Sequence, residues 1–91
     1  MARIAYEKKV SPTGVAAYVA ITKKPRVRYD GSRFTATTAV RIIEEKQGYR
    51  TDFCSAVAGT FMPWEPITEV AYPTVAAAKK AVQAFVTAEP A

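Results

Sequence analysis

Apolar and polar residues alternate along most of this chain. Val15, Ala17, Val19 and Ile21 alternate with Ala16, Tyr18, Ala20 and Thr22, and Tyr49, Thr51, Phe53, Ser55 and Val57 line one side of a later run. Side chains leave a strand on opposite faces in turn, so a period of two predicts extended structure. Strands are predicted over residues 3–10, 15–23, 26–29, 32–43 and 49–58, with a short one over 67–71. The competing assignment for 37–46 is a helix, but its threonines and β-branched residues favour a strand. Turns fall at Ser11-Pro12-Thr13-Gly14 and in the polar stretch 44–48. Pro25 has no N–H, so its region belongs at a sheet edge or a bulge.

After Pro73 the period changes. Val75, Ala78, Val82, Phe85 and Val86 fall on one stripe at about 100° per residue. Lys80, Gln83 and Thr87 point away from the stripe, and Lys79 flanks it. Thr74 is a suitable N-cap and Pro90 cannot continue the helix, which predicts a helix over 75–88. The expected fold is α+β: a mostly antiparallel sheet of four or five strands packed on one C-terminal helix. At 91 residues this is a single domain, spanning 1–91.

Asp30-Gly31 is a two-residue hairpin signal, because both residues tolerate the positive φ of a type I′ turn. With that turn Arg28 faces Arg33, Val27 faces Phe34 and Arg26 faces Thr35. One face then collects Val27, Tyr29, Phe34, Ala36, Val40 and Ile42. The other collects Arg26, Arg28, Arg33, Thr35, Thr37 and Arg41, with Lys24 near the Pro25 irregularity.

Charge gives this hairpin its interest. The first fifty residues hold eleven of the thirteen Lys and Arg against four acids, a net of +7. The remaining 41 hold Lys79 and Lys80 against four acids, a net of −2. Arg28 directly opposite Arg33 disfavours the pairing by up to roughly 1 kcal/mol. An anionic partner would relieve that repulsion, and arginine suits bidentate contact with phosphate or carboxylate. Thr35 and Thr37 add hydroxyl donors. The plainer reading is a solvated face that keeps the protein soluble or protects an edge strand.

Candidate chemistry is sparse. The chain has no histidine, hence no ordinary general base near neutral pH and no imidazole ligand. Cys54 is the only cysteine, which excludes the usual zinc spacings and an intrachain disulfide. The four glycines are scattered and form no phosphate-cradling loop. Glu44 and Glu45 read as turn residues in solvent, and Asp52 is placed to pair with a neighbouring arginine. A non-enzyme with no cofactor and no metal is expected; a hydrolase working through carboxylates alone is the alternative. Tyr6, Tyr18, Tyr29, Phe34 and Tyr49 interleave with the cations, as stacking residues do in single-strand binders, but no RNP-type aromatic pattern is present. Core packing is the expected role of Phe34, Phe53 and Phe85. Tyr29, beside the turn, is open to either role. Trp64, in Met62-Pro63-Trp64-Glu65-Pro66, is either a core anchor or a recognition residue on a stiffened loop.

No apolar run approaches bilayer length, and residues 15–21 are the longest. No membrane association and a cytoplasmic address are therefore expected. A small basic sheet followed by the helix Thr74-Val75-Ala76-Ala77-Ala78-Lys79-Lys80-Ala81-Val82, without a catalytic set, resembles small phage-type accessory proteins such as anti-CRISPR inhibitors. That resemblance implies docking on a nucleoprotein surveillance complex. A more distant likeness is to integrase arm-type DNA-binding domains, from which this chain departs by its extra N-terminal strands. The expected partner is anionic, either a nucleoprotein complex or nucleic acid. The candidate contact residues are Lys24, Arg26, Arg28, Arg33, Thr35, Thr37 and Arg41, with Tyr29 and Trp64 as a second set.

Overall fold

The computed structural model describes residues 4–88. Strands β1 (Glu7–Val10), β2 (Ala16–Val27), β3 (Arg33–Glu45) and β4 (Gly48–Val57) follow one another as an antiparallel meander. Two short strands, β5 (Thr60–Phe61) and β6 (Glu65–Pro66), both pair with β4. Helix α1 (Val75–Thr87) closes the described chain. Residues 37–46 are extended, mostly within β3, so the helical alternative is excluded. No strand forms over 67–71; the Ile67 N–H donates to the Thr51 carbonyl of β4 at 2.9 Å, and Tyr72, just beyond the segment, bridges to Tyr49.

Helix α1 packs on one face of β2, β3 and β4. The core is Ala20, Val40, Ile42, Ala78, Val82 and Val86, with Tyr18, Tyr49, Phe53 and Phe85 packed around it. The members come from alternate strand positions and from the helical stripe, as the two periods require. Thr74 caps the helix, its Oγ1 accepting from the Ala77 N–H at 3.1 Å. Phe53 and Phe85 meet with ring centroids 4.7 Å apart. Among the described residues β1 pairs with β2 only as far as Val19, and no described strand bonds the outer edge of β2 at Pro25, a residue without an N–H to donate.

The entry to the helix depends on Gly48. It has φ +130°, and a Cβ built there would lie 2.5 Å from the Tyr72 carbonyl oxygen. That oxygen accepts from the Tyr49 N–H at 2.8 Å, which draws the segment before α1 onto β4. Gly48→Ala is expected to cost about 1–3 kcal/mol, measured by denaturant unfolding.

Tyr6 packs beside the core with its hydroxyl buried and without a hydrogen-bond partner among the described residues. Burial pushes its phenol up from 10.0 to about 12. The folded pKa lies above the unfolded one, so ionisation of this phenol leaves stability untouched below about pH 10 and lowers it as pH rises from about 10 to about 12. Tyr6→Phe is expected to flatten the alkaline limb of the stability–pH curve. At neutral pH it should stabilise by about 1 kcal/mol, because an unpaired buried hydroxyl is removed.

Candidate functional site

Strands β2 and β3 outrun the rest of the sheet. The ladder between β3 and β4 ends at Thr38 with Ser55, whereas β2 and β3 stay paired to Val27 with Arg33. Residues 23–37 therefore form a two-stranded arm. Five residues per strand at about 3.3 Å each place its turn roughly 17 Å beyond the last rung with β4. The arm carries Lys23, Lys24, Arg26, Arg28 and Arg33 against one acid, Asp30. The Asp30 carboxylate is turned back, accepting from the Ser32 N–H at 2.9 Å and the Ser32 hydroxyl at 2.7 Å. The Ser32 N–H, and then its hydroxyl, hold Asp30 below its ordinary pKa.

The turn at Asp30-Gly31 is not the two-residue turn expected. The Gly31 N–H donates to the Arg28 carbonyl at 2.9 Å, Gly31 has φ +90°, and the Arg28 N–H donates to the Ser32 carbonyl at 2.8 Å. These bonds define a three-residue loop, Tyr29-Asp30-Gly31, with the glycine in the left-handed position. One more loop residue slips the register by one, and one slip moves every β2 side chain to the other face relative to β3. Arg26 pairs with Phe34 and Lys24 with Ala36, on the helix side of the sheet; Val27, Pro25 and Lys23 pair with Arg33, Thr35 and Thr37, on the open side.

The expected single basic face is thus divided. Arg33, Thr35, Thr37 and Arg41 share the open side, while Lys24 and Arg26 lie on the helix side. Arg28 belongs with the latter, its guanidinium 4.5 Å from the centre of the Phe34 ring. It does not face Arg33, so the repulsion expected between them is relieved by the fold itself. Phe34 is half-buried under Arg28, outside the main core. Lys23 is an exposed cation on the open side that the two-residue turn had hidden. The alternative hairpin loop length was the signal that could have found it.

Lys24 and Arg26 anchor the arm. The Lys24 ammonium donates to the Phe85 carbonyl at 2.8 Å, near the C-terminus of α1, where exposed carbonyls and the helix dipole favour a cation. Burial, and secondarily Arg26, lower the Lys24 pKa. Arg26 Nη2 donates to Ser55 Oγ at 2.8 Å. Lys24→Met keeps the stem but loses the cap, and is expected to cost about 1 kcal/mol in a thermal melt.

Arg41 is also occupied. Its Nε donates to Asp52 Oδ2 at 2.9 Å, and its guanidinium stacks on Trp64 at 4.3 Å. Arg50 Nε donates to the same Asp52 oxygen at 3.2 Å and Arg50 Nη1 to Glu45 at 3.3 Å. Arg41, Arg50, Asp52 and Glu45 sum to no net charge, which leaves the excess positive charge in the arm. Trp64 is 37% exposed, with Arg41 against one side of its ring, so it is not a core anchor. Tyr29 is fully exposed at the arm's tip. Cys54 is buried and its thiol is pushed up by that burial, which makes it a poor nucleophile. Among the described residues no helix is long and apolar enough to cross a membrane. No protein-family model matches the sequence, and no curated protein or solved structure is similar enough to count as a relative.

Proposed function

We propose that the protein is a non-enzymatic binding module that docks its basic arm on a nucleic-acid-lined surface of a larger nucleoprotein assembly, as an inhibitor or accessory protein. The observation that carries this reading is the arm itself: five cations and one engaged acid on a ribbon reaching past the packed layer. Arginine supplies forked donors for phosphate, and the tip adds an exposed tyrosine. The lack of histidine and the buried, high-pKa Cys54 support binding without catalysis. The likeness to phage accessory proteins such as anti-CRISPR inhibitors makes a surveillance complex the target class to try first. A cytoplasmic address suits such a target.

A second reading, direct binding to DNA or RNA, is favoured by the cations standing on both sides of the ribbon. Capture from host lysate with and without nuclease separates the two. The proposed function expects a protein complex that still binds after nuclease treatment of free nucleic acid and is lost with Arg28→Glu/Arg33→Glu. Equal capture by the variant would leave the arm a solubility device. Turnover of a nucleic-acid, peptide or ester substrate that falls on changing Asp52 or Cys54 would overturn the non-enzymatic reading.

A further inference from the structure

We infer that the arm enters the major groove of B-form DNA tip first, with cations directed to the phosphate strands on both walls. This inference rests on the second reading, direct binding to nucleic acid, and adds the shape of what is bound. Its basis is the divided patch. A ribbon built to lie flat on an anionic surface needs its cations on one face. Here Arg28 stands on the helix side and Arg33 on the open side at the outer end of the same two strands, with Lys23 on the open side at the arm's base. That distribution matches a partner with negative charge on both sides of the ribbon. Arg26 and Lys24 stiffen the base through Ser55 and Phe85, so the arm is held in place before binding.

Dimensions select the groove. Side chains on the two faces of a ribbon make it about 10 Å thick. The B-DNA major groove is about 12 Å wide and about 8.5 Å deep, and it admits a two-stranded ribbon; the minor groove, about 6 Å wide, does not. The major groove of A-form RNA is too narrow for side chains to read. The estimated reach of roughly 17 Å exceeds the depth required. Tyr29, the most exposed side chain at the tip, then meets the base edges.

The test uses the whole protein with three labelled probes: a short mixed-sequence DNA duplex, the RNA duplex of the same sequence, and one DNA strand. Variants are Arg28→Ala for one side, Arg33→Ala for the other, and Lys46→Ala, an exposed residue in the distant turn between β3 and β4, as control. Each arm variant should weaken duplex DNA binding about 5–10-fold and reduce the slope of log K against log salt by about 0.9, the value for one phosphate contact. Lys46→Ala should bind as wild type, and duplex DNA should be preferred over both other probes by at least about tenfold. If only one side of the arm matters, or if RNA duplex or single strand binds equally well, the groove inference fails. If naked DNA is not bound while capture of a nucleoprotein complex still depends on Arg28 and Arg33, the groove inference fails and the docking function stands. If neither variant changes either measurement, both fail.

Discussion

Ile42→Ala is expected to lower the unfolding free energy by about 2–5 kcal/mol. Ile42 lies in the C-terminal half of β3, fully buried on the helix side between strands β2 and β4. Its loss leaves a cavity bounded by strands on both sides and by Val82 above, where neither backbone can collapse far. A domain of this size has a total stability of about 5–14 kcal/mol, so the substitution removes a large share. The melting temperature should fall by roughly 10–30 °C. Ile21→Ala is the matched control, because Ile21 stands on the opposite face at 67% exposure. Its effect should stay within about 0.5 kcal/mol. A loss under about 1 kcal/mol for Ile42→Ala would mean that the helix does not cover this face as described.

The double reversal Arg28→Glu/Arg33→Glu is expected to lower affinity for the nucleic-acid-bearing partner about 100-fold or more. Each arginine that leaves a phosphate loses a charge-assisted contact of about 1.5–3 kcal/mol, and each new carboxylate adds repulsion. Two such losses reach at least about 3 kcal/mol, which is two orders of magnitude in the dissociation constant. Stability should change little. Reading Arg28 opposite Arg33 leads one to expect a slight gain from relieved repulsion. The register instead sets Arg33 opposite Val27 and stacks Arg28 on Phe34. Losing that stack should cost about 0.5–1 kcal/mol, so the variant should be folded and marginally less stable.

The layers of this fold are legible in the sequence because burial enforces them. The helical stripe through Ala78, Val82 and Val86, and the alternation through Val40 and Ile42, each leave one workable face. The Thr74 cap is legible for the same local reason: a hydroxyl before an apolar stripe has a defined partner in Ala77. The arm was harder to read, because its outer end buries little and so places few hydrophobic constraints on register. Asp-Gly suits both a two-residue turn and a three-residue loop, and the choice between them decides which face Arg26 occupies. The anchoring role of Lys24 is hidden in the sequence for a related reason. A cation close to Pro25 in sequence does not announce that the C-terminus of a helix 61 residues later needs a cap. The partners of Arg41 are hidden too, because Asp52 and Trp64, both distant in sequence, are brought beside it by β4 and the segment before β6.

The most direct test of the binding account is the salt dependence of affinity for the captured nucleoprotein partner, measured for wild type and for Arg28→Glu/Arg33→Glu. If the arm docks on phosphate, wild-type affinity falls steeply as salt rises, because bound cations release counterions from the nucleic acid. The double variant should be weaker at low salt and nearly flat across the series. Equal affinity and equal slope for the two proteins, both folded, would contradict the account and move the search for the contact surface to Trp64 and the loop that carries it.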